Sequence, residues 1–191
     1  MAKRKRIRLD GSNGKPKTQV STQNPGKSSE SFTIDLSFQG LYYSIAEDNF
    51  FNYLKNESNF IENFKKLRKL IVDLRNKNFL RELINDPGMR HCHIIDPQKE
   101  ELVKKCIKKS LNKYYEEISC THDLETIISQ TIGNEKLYQL GYEGTLRIIG
   151  TYNEVRGIFK VFLIDYHHRV NYDQRRNNID PRHYKYCPMT K

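Results

Sequence analysis

Near its C-terminus the chain passes directly from an apolar run into Asp165-Tyr166-His167-His168-Arg169, with Tyr172, Arg175 and Arg176 close behind. An imidazole takes or gives a proton near neutral pH, and a guanidinium holds phosphate through parallel hydrogen bonds. Metal-free cleavage of RNA needs such a set: a base for the 2′-hydroxyl, an acid for the leaving oxygen and a cation for the charge that develops on phosphorus. His167 and His168 are the candidates for base and acid, Arg147 and Arg169 for the clamp, and Tyr172 stands beside them. Alternation along a strand sends His167 and His168 to opposite faces, so one of them is expected to be structural. In the competing reading, Asp165 and a histidine close the strand with hydrogen bonds while the arginines are solvated.

A second constellation is His91-Cys92-His93, which with His122 or His167 offers ligands of suitable softness for zinc. No second paired cluster stands at ligand spacing. The expectation is therefore neither metal nor cofactor, and a histidine-bearing loop that covers the core or lies beside the RNA site. The four cysteines, Cys92, Cys106, Cys120 and Cys187, form no CxxC pair and are expected as reduced thiols of a cytosolic protein. Cys106 and Cys120 read as packing residues.

The formal net charge of +10 is concentrated at the two ends. Residues 1–31 carry eight basic side chains against two acidic ones, and residues 167–191 carry six against two, which leaves the middle neutral. A general demand for solubility would spread the charge, whereas two basic ends suit a polyanion partner and salt-sensitive binding. Lys3, Arg4, Lys5, Arg6 and Arg8 at one end, and Arg175, Arg176, Arg182 and Lys185 at the other, are the candidate phosphate contacts. The KRKR run at 3–6 reads equally as a nuclear import signal or an RNA-binding arm. No apolar run approaches the length of a membrane span, and a cytoplasmic location is expected.

Residues 1–31 lack aromatics and are rich in Gly, Ser, Pro, Asn, Gln and Lys, so they are expected to form a disordered basic arm. Phe32, Ile34, Leu36 and Phe38 alternate with polar residues as in a half-buried strand. Ser58 is placed to cap a helix whose stripe is Phe60, Phe64, Leu67, Ile71 and Leu74, and a shorter helical piece around 79–84 ends at Asp86-Pro87-Gly88. Asp96-Pro97 opens a helix to about Ser119 with Val103, Ile107, Leu111, Tyr114 and Ile118 on one side, and a weaker helical stretch covers 124–132. Beyond it, 146–152 and 158–166 read as strands joined by a turn over 153–157, the second of them a central strand. The expected class is α+β: a small antiparallel sheet packed with two to four helices, in one domain over 32–180, with a basic tail from 181 to 191.

This order, with a G-x-x-R-I-I strand at 144–149 and an apolar strand ending in His-Arg-x-x-Tyr at 168–172, resembles the RelE/HigB superfamily of ribonuclease toxins. The resemblance is loose over 32–76 and better over 140–175. It implies a small basic α+β ribonuclease that cleaves messenger RNA, often on the ribosome, and is neutralised by an antitoxin partner. It matches Arg147 to the arginine of the first hairpin strand, and His168, Arg169 and Tyr172 to the basic and aromatic residues after the last strand. The expected function is an RNA-binding, metal-independent endoribonuclease of toxin or phage-defence type. The alternative is a nonenzymatic RNA-binding subunit of a ribonucleoprotein or defence complex.

Overall fold

The computed structural model describes residues 32–75, 80–86, 91–141, 144–173, 175 and 178–190, the side chains of 81 and 82 excepted. The elements follow in the order β1 (Thr33–Asp35), β2 (Ala46–Glu47), β3 (Phe50–Phe51), α1 (Glu57–Arg75), α2 (Leu80–Asn85), β4 (His93–Ile94), α3 (Pro97–Glu117), α4 (Leu124–Thr131), β5 (Leu137–Leu140), β6 (Arg147–Asn153) and β7 (Ile158–Asp165). A short 3₁₀ turn over Pro181–His183 follows. One five-stranded sheet runs β1-β7-β6-β5-β4, and β2 pairs with β3 in a separate ribbon. The fold is α+β, as the sequence implies.

The hairpin β6–β7 is the frame of the molecule. Its strands pair from Arg147↔Asp165 to Asn153↔Ile158, and Gly157, at φ 64°, closes the turn. A register shift falls between Ile149 and Gly150, where a Cβ on Gly150 would lie 1.9 Å from the carbonyl oxygen of Lys160. Only glycine permits that approach. Phe159, Val161, Phe162 and Ile164 are fully buried, which fits a strand covered on both sides. The strand β1 is shorter than the 32–38 alternation implies and lies parallel to β7, so the sheet is mixed rather than wholly antiparallel. Alternation reports which face is buried and carries no information on strand direction.

Helix α1 begins one residue before Ser58, and Asn56, whose side chain accepts from the Asn59 amide, takes the capping position instead. Its buried side is Asn63, Leu67, Leu70 and Leu74, and it packs on β1. The expected stripe is rotated: Phe64 is 46% exposed, its ring resting on Phe60 at 6.0 Å. Helix α3 starts as expected, with the Asp96 carboxylate accepting from the Gln98 amide and Pro97 in the first turn. It buries Val103, Cys106, Ile107 and Leu111 against β7 and β2, while Ile118 ends up exposed. Pro87 and Gly88 of the expected turn lie outside the described residues.

The segment read as a basic tail is held against the body. Leu54 and Tyr186 exchange backbone hydrogen bonds, and the buried Cys187 sulfur accepts from the Ser44 amide. Cys106 packs in the core as expected, but Cys120 is exposed with its sulfur 3.0 Å from His122 Nε2. Among the described residues no helix is long and apolar enough to cross a membrane.

Candidate active site

The constellation after β7 divides into two halves, one on each side of the strand end. Asp165 closes the strand. Its carboxylate is wholly buried and accepts from the backbone amides of His167, Arg169 and Val170, which folds the chain into a tight loop. Burial pushes its pKa upward against those hydrogen bonds and against Arg147, its register partner on β6. Carboxylate and guanidinium are thus enclosed together, an arrangement tolerable in a low dielectric only because the charges oppose.

Arg147 is accordingly not a phosphate clamp presented to solvent. It is 1% exposed, and its Nη1 donates to the carbonyls of Gly144 and Leu146 at 2.9 and 2.8 Å. Its Nε is buried with no hydrogen-bond partner. Desolvation lowers the guanidinium's pKa, and Asp165 counters this. The sequence placed this cation at the surface because charged side chains are rarely buried unless paired, and the pair is seen only once the register is known.

On one side of the loop, His167 donates from Nε2 to the Tyr53 carbonyl at 2.7 Å, with its ring between Phe51 and Tyr184 at 5.1 and 4.7 Å. Desolvation depresses its pKa, so it is a neutral structural imidazole. Arg169 is 8% exposed and lies over the rings of Tyr172 and Phe51 at 4.1 and 4.9 Å, while its Nε donates to the Asn49 carbonyl. Stacking and that bond tie the β2–β3 ribbon to the loop. Arg169 and Tyr172 therefore brace the site rather than reach out of it.

His168 faces the other way, turned there by the loop that follows β7. It adopts φ 57°, the left-handed region that L-residues avoid at a cost of about 1–2 kcal/mol, and conformations held against such a cost cluster at functional sites. Its ring meets His91 edge to face at 6.1 Å. Desolvation, followed by Arg147, His91, His93 and Lys99, lowers its pKa to about 4. The imidazole is therefore neutral near pH 7, and it gains strength as a base where a bound anion raises its proton affinity.

A polar chain holds this half in place. Lys99 on α3 donates to the Asn171 side-chain oxygen at 2.8 Å, Asn171 donates to Gln139 at 2.8 Å, and the Gln139 amide meets His93 Nε2 at 3.1 Å. His93 Nδ1 lies 2.9 Å from the Ile94 carbonyl, so a neutral ring donating there and accepting from Gln139 satisfies every member. Gln139 is fully buried on β5, and that strand, which the sequence reading missed, carries the network's centre. The signal that pointed here was the HCH triplet: its two histidines lie beside His168, while Cys92 turns inward, its sulfur 3.4 Å from the Gly141 carbonyl. Among the described residues no three His, Cys, Asp or Glu side chains converge in a way that could hold a metal ion.

Of the candidate phosphate contacts, Lys3, Arg4, Lys5, Arg6, Arg8 and Arg176 lie outside the described residues. Arg175 and Lys185 are exposed, and Arg182, 87% exposed at its side chain, is paired with Asp180 at 2.9 Å. No solved structure matches the chain. A protein of Ureaplasma parvum serovar 3, described as Uncharacterized protein UU032, is 27% identical over 179 residues, covering 94% of this chain and 92% of its own length. The sequence profile of the family described as Uncharacterised protein UU032 matches residues 37–191, which takes in every residue of the His168 cluster, and the chain belongs to that family.

Proposed function

We propose that this protein binds RNA and cleaves it by metal-independent transesterification at His168. The observation that supports the reading best is the meeting of His168, His91 and Lys99 at one end of the sheet, on a frame fixed by Gln139 and Asn171. Two imidazoles and an ammonium are the groups the reaction needs. In this scheme His168 takes the proton of a 2′-hydroxyl, whose oxygen attacks the adjacent phosphorus. The bond to the 5′-oxygen breaks as His91 delivers a proton to it, leaving a 2′,3′-cyclic phosphate and a 5′-hydroxyl. Lys99 offsets the charge on the phosphoryl oxygens, and the phosphate itself raises the proton affinity of His168 by supplying a nearby negative charge.

The basic side chains at the two ends supply attraction without base choice, since contacts to phosphate carry no sequence information. Incubation with labelled RNA in EDTA tests the proposal, with naked RNA and translating ribosomes as substrates. Products ending in cyclic phosphate support it. Tight binding with no cleavage in EDTA, magnesium or zinc favours the second reading, an RNA-binding subunit, which the inward engagement of Arg147, His167 and Arg169 also suits.

A further inference from the structure

On the far side of the loop from His168 lies a cavity of about 270 Å³ lined by Ala46, Phe51, Tyr53, Pro181, Tyr184 and Lys185. Its walls are mainly rings, and cations stand around them. Lys55 is exposed with its ammonium 5.4 Å over the Tyr184 ring, Lys113 lies 5.1 Å over the Tyr53 ring, and Lys185 is exposed at the rim. The rings are fixed in place. Phe51 is pinned under Arg169, Tyr184 meets His167 edge to face, and Lys113 holds the Tyr53 hydroxyl at 2.7 Å.

We infer that this cavity is a subsite for one unpaired nucleobase of a single-stranded RNA, an inference that rests on the RNA reading above. Rigid aromatic faces accept any base by stacking, and cations beside them meet the phosphate that every nucleotide brings with it. A base held in a helix cannot enter. The charge complementarity favours a polyanion over an apolar peptide, since the exposed groups flanking the rings, Lys55 and Lys185, are both positive. The inference also gives His167 and Arg169 a purpose: both position the rings, from the side of the loop opposite His168.

The test compares full-length protein binding to a single-stranded RNA oligomer, an abasic ribose-phosphate oligomer of equal length and an RNA duplex. The wild type should bind the single strand about 5- to 100-fold more tightly than the abasic oligomer or the duplex, the range expected of one stacked base. Tyr184→Leu, which keeps apolar bulk but removes the ring, should lower single-strand affinity toward the abasic value and leave abasic binding unchanged. Wild-type binding that does not distinguish bases from their absence would overturn the subsite while leaving RNA binding intact. If the wild type binds none of the three, the RNA reading fails and the subsite with it. The comparison of ligands on the wild type decides the matter even where Tyr184→Leu misfolds.

Discussion

Acid should destabilise this protein through His168, and the size of the effect follows from its surroundings. The ring's pKa falls from the ordinary 6.5 to about 4 because it is desolvated and faces Arg147, His91, His93 and Lys99. A folded-state pKa below the unfolded one contributes stability that is present above the unfolded value and lost as pH falls toward the folded one. Linkage over about pH 7.5 to 5 gives a loss of about 2 kcal/mol, which partial exposure of the ring to solvent reduces to about 1 kcal/mol. Asp165 works in the opposite sense, since burial raises its pKa and puts its effect above the ordinary carboxylate value, but it is common to both proteins compared. His167 is also depressed and is likewise common to both. The perturbation is His168→Asn, because asparagine tolerates the left-handed backbone at φ 57° that most residues resist. Urea unfolding of wild type and variant across that pH range is the assay. The stability difference between the two should narrow by about 1 kcal/mol on acidification. Parallel pH profiles would refute the reasoning, and would mean that His168 is solvated and free of the cationic field.

Three further outcomes are expected. Leu67→Ala empties part of the contact between α1 and the sheet, where Leu67 is 1% exposed, and should cost about 2–5 kcal/mol in chemical denaturation. Gly150→Ala drives a methyl into the Lys160 carbonyl and should cost about 3 kcal/mol or prevent folding, whereas Gly144→Ala, with nothing within 4 Å of the added carbon, should show only the backbone cost of its φ of 66°. Removing residues 2–31 should weaken RNA binding for all sequences and flatten its dependence on salt, because fewer counterions are then released. An unchanged salt slope on a filter-binding or fluorescence titration would exclude the arm as a phosphate contact.

The elements that sequence alone made legible are those with a local cause. Asp96-Pro97 marks the start of α3 by capping and by the fixed φ of proline, and the turn ending in Gly157 marks the β6–β7 hairpin. The strands β4 and β5 were missed because two and four residues are too few to show a period, and they exist through pairing with a distant partner. The phase of α1 slipped because Phe64 was counted as core, whereas its ring rests on Phe60, which itself packs against the core, and Asn63 and Leu70 face inward. At the site, the types of residue were legible and their partners were not. Alternation gave opposite directions for His167 and His168, but the strand ends at Asp165 and it is the loop that turns them apart. Which one is structural depends on Tyr53 and Tyr184, more than a hundred residues before His167 and seventeen after. The link from Lys99 through Asn171 and Gln139 to His93 joins four separate segments, and no spacing rule could reveal it.

The central claim is that His168 moves a proton during RNA cleavage, and the most direct measurement compares wild type with His168→Asn on one labelled RNA in EDTA, following both binding and the appearance of 2′,3′-cyclic phosphate ends. The account expects the variant to bind RNA nearly as well as wild type while cleaving it about 100-fold more slowly or slower still, the loss typical of removing a general base. Equal cleavage by the two proteins, or cleavage that appears only when a divalent metal is added, would contradict it.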